Sequence, residues 1–172
     1  MAAIEIRDLR KEYKDVTAVN GLTLRVEEGE LFALLGVNGA GKTTTVKMLA
    51  TLTRPTGGDA LVCGRSVREE PEAVRGLVDI SLQETAVARK LTVEENLEFY
   101  ARLSGLPEPE REESKRYVCR TFGLDEVLPR RADKLSGGWQ RKLSVALALI
   151  SRPRVLFLDE PTLGMDVLAR RE

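Results

Sequence analysis

Apolar and polar residues alternate through the first part of the chain, which predicts a β-rich N-terminal region. The alternation is clear over residues 4–6 and 22–26, with a polar loop predicted over 11–15. A continuous apolar run at 31–35 follows a turn at 28–30 and predicts a fully buried strand. Further strands are predicted over residues 59–63, 75–82 and 155–158.

From about residue 84 to residue 140, the apolar residues recur with the period of an α-helix. Thr92 and Glu95 have the spacing of a capping box, and apolar residues follow at helical intervals. A charged amphipathic helix is predicted over residues 107–122, with its charges facing solvent and a buried stripe formed by Tyr117, Val118 and Phe122. Residues 143–150 predict an apolar helix.

Composition narrows the chemistry that these elements can support. An apolar content of 42% is typical of a globular protein, and 27 basic residues balance 27 acidic ones. No net field therefore favours nucleic acid. Histidine is absent, which excludes histidine-based acid–base or metal chemistry within these residues. Cys63 and Cys119 stand apart from each other and are interpreted as reduced thiols of the cytosol.

Residues 36–44 have the sequence of a phosphate-binding loop. The order of apolar run, glycine-rich loop and helix is the context that such a loop requires, because backbone N–H groups and the helix N-terminus then face the anion. Lys42 is predicted to reach the β- and γ-phosphates and Thr43 to ligate Mg²⁺. A glycine-rich turn with a chance lysine is the weaker alternative. The predicted nucleotide contacts of this loop are Gly36, Asn38, Gly39, Ala40, Gly41, Lys42, Thr43 and Thr44.

Two later stretches also carry candidate chemistry. Ser136, Gly137 and Gly138 combine an N-cap hydroxyl with flexible backbone at a helix start, although an ordinary helix entry explains this stretch taken alone. Asp159 and Glu160 follow an apolar strand, at the edge where open α/β sheets bind ligands. Asp159 is predicted to hold Mg²⁺ through its water shell, and Glu160 to deprotonate the attacking water. A cap on the next turn is the alternative for Glu160.

Together these segments resemble the nucleotide-binding cassette of an ATP-binding cassette (ABC) transporter. Residues 36–44 match the Walker A loop, 135–138 the signature motif, 155–160 Walker B and 163–166 the D-loop. Tyr13 then matches the aromatic that stacks on adenine, and Gln83 the Q-loop glutamine. The spacing from Gln83 to Ser136 is most similar to that of prokaryotic exporters of the drug-resistance type.

The resemblance implies an α/β fold: a P-loop NTPase core with a mostly parallel sheet and flanking helices, an N-terminal antiparallel β subdomain and a helical subdomain. The expected organisation is one cassette over 1–172, with a core of 1–83 and 141–172 and a helical subdomain of 84–140. This cassette would be incomplete at its C-terminus, because the family's switch histidine is absent and the chain stops at Glu172. We therefore expect slow hydrolysis by these residues.

The functional implication is an ATP-hydrolysing subunit that drives transport. Glu160, Gln83 and Lys42 would be catalytic, and Thr43, Gln83 and Asp159 would bind Mg²⁺. Expected partners are a second cassette, as a homodimer that closes head to tail on ATP, and an integral membrane permease. No nucleic acid partner is expected. The location implied is cytoplasmic, peripheral on the inner face of the cell membrane.

Two other functions remain open at this point. One is a soluble ABC-type ATPase of translation or DNA maintenance, which a single cassette with a short helical insert disfavours. The other is a nucleotide-binding regulator that does not hydrolyse ATP. Two further departures from the family pattern concern local contacts: Trp139 stands where glutamine is common, with Gln140 one place later, and residues 78–82 lack the usual aromatic or proline.

Overall fold

The computed structural model describes residues 1–81 and 87–158 of the chain. It divides into two compact units, Met1–Val78 and Asp79–Glu172. The first unit holds β1 (Ala2–Tyr13), β2 (Val16–Glu27), α1 (Lys42–Leu49), β3 (Gly57–Val62), β4 (Arg65–Ser66) and α2 (Pro71–Arg75). β5 (Val78–Ser81) begins at the boundary, and the second unit continues with α3 (Val93–Leu103), α4 (Glu108–Phe122), two 3₁₀ turns (Leu124–Val127 and Ala132–Lys134), α5 (Gly137–Leu149) and β6 (Val155–Leu158).

The first unit is built on a four-stranded antiparallel sheet in the order β2-β1-β3-β4. Its buried face carries Ile4, Ile6 and Leu9 of β1, together with Val26 of β2 and Val62 of β3. The predicted strands at 4–6 and 22–26 are confirmed and extended, and the strand predicted at 59–63 is observed two residues earlier at its start and one residue earlier at its end. The loop predicted over 11–15 is wrong for its first half, because β1 runs on to Tyr13 and pairs with β2 almost to the turn.

The buried strand predicted over residues 31–35 is not formed. This segment has no assigned strand, and the side chains of Leu31 and Leu35 are 98% and 89% exposed. A strand is stabilised by hydrogen bonds to a neighbouring strand and by burial of its side chains. No described strand pairs with residues 31–35, so their apolar composition alone does not determine their conformation.

The second unit has a helical core in which α3, α4 and α5 pack together. Leu97 of α3, Val118 of α4 and Leu143 of α5 are among its fully buried side chains. The capping box that begins α3 is confirmed. The buried stripe predicted for α4 is wrong at Tyr117, which is 53% exposed; Ser114 and Cys119 lie on the buried side with Val118 instead.

A small parallel sheet of two described strands, β5 and β6, completes the second unit and confirms the α/β class. Ser81 of β5 and Ser144 of α5 share a buried hydrogen bond of 3.3 Å between their hydroxyls. At the other end of β5, the Ser151 hydroxyl donates to Asp79 at 2.9 Å. These two bonds attach the strand to α5 and to the residues just after it.

No described helix is long and apolar enough to cross a bilayer.

A completely buried asparagine, Asn96 of α3, organises the backbone before that helix. Its amide nitrogen donates to the carbonyl oxygens of Ala88 and Thr92 at 3.1 and 2.8 Å, and its oxygen accepts from the Ala88 N–H at 2.9 Å. The completely buried side chain is thereby fully hydrogen-bonded, and it ties the backbone of residues 88–92 to the first turn of α3.

We predict that Asn96→Asp destabilises the chain strongly. The substitution replaces an amide donor with a carboxylate that faces the same carbonyl oxygens, so the free energy of unfolding should fall by about 2–4 kcal/mol. Urea unfolding monitored by circular dichroism measures this. The control is Glu94→Gln on the exposed face of α3, with an expected change of less than about 0.5 kcal/mol. Equal stability of the two variants would contradict the assignment.

Candidate functional site

The predicted phosphate loop leads directly into α1. Gly41 is the N-cap of this helix in the left-handed conformation, with φ 82°. The Lys42 ammonium donates to the carbonyl oxygens of Gly36 and Val37 at 2.7 and 3.0 Å, while the Ala40 N–H donates to the carbonyl of Val37 at 3.1 Å. A cation is thus held over a glycine-rich loop at a helix N-terminus, which is an arrangement suited to a phosphate group.

The loop is pressed against strand β2 at Gly41. Lys11 of β1 pairs with Val19, whereas Glu12 pairs with Thr17, so Ala18 is an extra residue in the ladder. Such a bulge redirects the backbone locally. A Cβ on Gly41 would lie 2.2 Å from the Ala18 carbonyl oxygen, so only glycine permits this approach.

Tyr13 lies at the turn end of the same strand pair, opposite Val16. Val16 is two residues from the bulged Ala18, so β2 pairs with Tyr13 and contacts the phosphate loop at positions two residues apart. The ring is 46% exposed, so it retains a face for a ligand. The first unit therefore brings together the two elements that the sequence predicts for the base and the phosphates of a nucleotide.

The signature stretch begins α5, as predicted. Ser136 is the N-cap, and its hydroxyl accepts from the Trp139 N–H at 3.5 Å. The side-chain amide of Gln140 donates to the carbonyl oxygens of Ala132 and Leu135, both at 3.1 Å. Gln140 therefore braces the loop that carries Ser136. This is the structural role of the glutamine that stands one place later than is common in the family's signature motif.

Trp139 itself is not part of that bracing. Its indole ring is covered by the ammonium of Lys142 at 4.9 Å from the ring centroid, which is a cation–π contact one helical turn along α5. The fifth position of the signature motif is thus a large, partly buried ring that packs against the helical core and is covered by a cation.

Gln83, Asp159, Glu160 and the D-loop at 163–166 lie outside the described residues. The strands that precede them are described, and β5, which leads toward Gln83, is the neighbour of β6, which leads to Asp159. Asp79 at the start of β5 is partly buried, and burial raises the pKa of its carboxyl group, while the hydrogen bonds from the Ile80 N–H and Ser151 act to lower it.

A family model described as "ABC transporter" matches residues 19–163. The chain belongs to the ABC transporter family. This match begins in β2, at the residue that follows the bulge, and extends past both carboxylates, so it includes the phosphate loop, the signature stretch and Walker B.

The chain is similar to named ABC proteins over nearly its whole length. It is 42% identical over 170 residues to the daunorubicin/doxorubicin resistance ATP-binding protein DrrA of Streptomyces peucetius, and the match covers 99% of this chain and 52% of that protein. It is 39% identical to the probable multidrug ABC transporter ATP-binding protein YbhF of Escherichia coli, covering 98% of the chain and 29% of that protein. The chain thus spans about half, or less, of the length of these relatives.

Solved structures agree with the family assignment. The structure of an ATP-binding subunit of an ABC transporter superposes with a TM-score of 0.84 at 32% identity, covering 98% of this chain and 70% of that one. The cbiO1 protein from Clostridium perfringens is part of the ABC transporter complex cbiONQ. Its structure superposes with a TM-score of 0.85 at 26% identity, and the match covers 96% of this chain and 68% of that one.

The sequence did not reveal the roles of three residues that shape the site: Lys11, Ala18 and Gln140, although Gln140 was noted as the glutamine one place after Trp139. Lys11 is two residues from Tyr13, a spacing that places both on one face of a strand, and this signal was available. The bulge at Ala18 and the acceptors of Gln140 depend on tertiary contacts and leave no local signature.

We predict that Gly41→Ala lowers the free energy of unfolding more than Gly39→Ala does, although both glycines have positive φ. A Cβ on Gly39 would lie in open space, whereas a Cβ on Gly41 would meet the Ala18 carbonyl. The left-handed backbone alone should cost Gly39→Ala about 1–2 kcal/mol in unfolding free energy. Gly41→Ala should lose about 3 kcal/mol or more because the loop must leave the sheet. Urea unfolding compares them, and equal losses would contradict the close approach.

We also predict that Gln140→Met loosens the signature loop. Methionine has a similar length but no donor for the two carbonyl groups, so amide hydrogen exchange over residues 132–138 should accelerate about 5- to 30-fold. The matched control is Lys142→Met on the exposed side of α5, which should leave these amides within about threefold. Unchanged protection in Gln140→Met would show that the bracing bonds contribute nothing.

Proposed function

We propose that this chain is the ATP-binding and ATP-hydrolysing part of a membrane transporter. The observation that carries the proposal lies within one compact unit: the exposed Tyr13 pairs with Val16 of β2, and the Lys42 loop approaches Ala18, two residues along the same strand. A base that stacks on Tyr13 and phosphates that lie on the loop and the α1 N-terminus define a nucleoside triphosphate.

The roles of the loop residues follow from its geometry. Lys42 donates to two carbonyl oxygens of its own loop, and these are weaker partners than a phosphate oxygen. The backbone of Gly36, Asn38, Gly39, Ala40 and Gly41 would surround the phosphates, with Thr44 in the first helical turn.

Mg²⁺ fits the donors that the chain supplies: the Thr43 hydroxyl, the Gln83 amide oxygen and the Asp159 carboxylate are all oxygen ligands of the kind that this ion prefers. The ion would neutralise charge that develops on the phosphates. Glu160 would hold the attacking water and accept its proton. The pairing of β5 with β6 supports a common location for Gln83 and Asp159.

A second cassette would complete the site. Ser136, Gly137 and Gly138 form a helix start with an N-cap hydroxyl, and a Cβ on Gly138 would meet open space. We propose that this surface receives the γ-phosphate bound by another copy, so that ATP holds a homodimer together and hydrolysis releases it.

The membrane partner is proposed from the relatives. DrrA and YbhF are named as drug-resistance or multidrug ATP-binding proteins, and cbiO1 is part of a transporter complex. By analogy, this chain would sit on the cytoplasmic face of the membrane, bound to a permease subunit, and drive export. Because the 172 residues include no histidine, we expect slow turnover by this chain alone.

The first test is nucleotide binding by calorimetry with MgATP. Lys42→Ala should weaken binding at least about tenfold, since a charge-assisted contact to phosphate is lost. The matched control is Lys47→Ala, which removes an exposed lysine from the last turn of the same helix and should change affinity less than about twofold. Equal effects of the two substitutions would reject the assigned role of Lys42.

The second test addresses the homodimer. With MgATP, Glu160→Gln should shift from monomer to dimer in analytical ultracentrifugation, because ATP is retained. Adding Gly138→Asp should abolish the dimer by placing a carboxylate against the partner's phosphates, whereas Gly138→Ala should retain it, since the position has open space. A monomer that retains bound ATP would contradict the shared site.

A further inference from the structure

The ring of Tyr13 contacts the side chain of Lys11, a residue that has no role in the nucleotide binding and hydrolysis proposed above. The Lys11 ammonium lies 4.8 Å from the centroid of the Tyr13 ring. Residues two apart on a strand point to the same side, so the two side chains lie next to each other on β1. The distance is within the range of a cation–π interaction.

Lys11 is itself anchored from the other side. Its ammonium donates to the carbonyl oxygen of Arg54 at 2.8 Å, in the loop that follows α1. That loop is attached to β1 by two more bonds: the Glu12 N–H donates to the Thr56 hydroxyl at 3.1 Å, and the Thr56 N–H donates to the Arg10 carbonyl at 2.9 Å.

The ammonium therefore bridges the loop after α1 and the ring at the end of β1. An exposed tyrosine in a hairpin tip samples several rotamers, and fixing one on binding costs free energy. A cation anchored on one face removes part of that cost before the ligand arrives. Tyr13 is 46% exposed, so part of its ring remains accessible for stacking.

We propose that Lys11 is a positioning residue for the base of the bound nucleotide: it holds the Tyr13 ring ready to stack on adenine. This inference rests on the proposed nucleotide site. It adds that the base end of that site is preorganised by a residue that contacts only the far face of the ring.

The consequence is a base-specific effect. Loss of the Lys11 charge should weaken binding of a ligand that has a base and leave a ligand that consists of phosphates alone unaffected. A change in folding or in the phosphate loop would weaken both ligands together.

The experiment measures binding of MgATP and of magnesium tripolyphosphate to the 172-residue chain by calorimetry. Lys11→Met keeps the apolar stem but removes the charge and the donor, and it should weaken MgATP binding about three- to tenfold. Tripolyphosphate binding should stay within about twofold. Lys11→Arg, which keeps a cation, should restore most of the MgATP affinity. Lys14→Met is the matched control at the exposed turn and should bind as the parent chain does.

A double-mutant cycle with Tyr13→Leu separates the ring from other effects. If Lys11 acts through the ring, Lys11→Met should add less than about twofold in the Tyr13→Leu background. Full additivity, an unchanged MgATP affinity in Lys11→Met, or equal weakening of both ligands would each overturn the inference. A parent chain that binds tripolyphosphate but not MgATP overturns it as well, and one that binds neither ligand rejects the proposed function itself.

Discussion

The close approach of Gly41 to the bulged Ala18 carbonyl is the constraint on which the geometry of the candidate nucleotide site depends. It requires two coordinated features: an extra residue in β2, which redirects a carbonyl group, and a residue without a Cβ at the start of α1. With this contact, the phosphate loop is attached to the strand that also pairs with Tyr13. At the other end of α1, bonds that join Arg54 and Thr56 to β1 hold the following segment to the same sheet.

In the second unit, the glycine-containing signature stretch is also held in place by contacts with neighbouring residues. Its signature stretch has to be presented at a helix start, where glycine residues provide little rigidity of their own. The Ser136 N-cap and the two bonds from Gln140 hold the backbone on both sides of those glycines. The far half of α5 is in turn attached to β5 through Ser144. Rigidity is thus supplied by the serine of the motif and by Gln140, which lies just beyond it.

Local features were predicted correctly where their cause is local. The capping box at Thr92, the N-cap at Ser136 and the end of the helix predicted over 107–122, where Gly123 has φ 65°, each depend on residues within one turn. The 31–35 segment and Tyr117 were predicted incorrectly because burial is decided by neighbours distant in sequence. An apolar run indicates what a segment is able to bury, but pairing and packing decide whether it does so.

The sequence by itself determined the family, the identity of the candidate nucleotide-binding residues and the positions of most helices and strands. These properties depend on residue type and short spacing: glycines and a lysine before a helix, a serine before two glycines, and two carboxylates after an apolar strand. Only the tertiary structure decided that Tyr13 and the phosphate loop share one end of a strand pair, that Gln140 braces the signature loop and that Lys11 covers the aromatic ring. Those contacts join residues up to 43 positions apart, as for Lys11 and Arg54. The spacing of Lys11 and Tyr13 permitted their contact, but the anchoring of Lys11 on Arg54 and the approach of Gly41 to Ala18 arise only from the folded backbone.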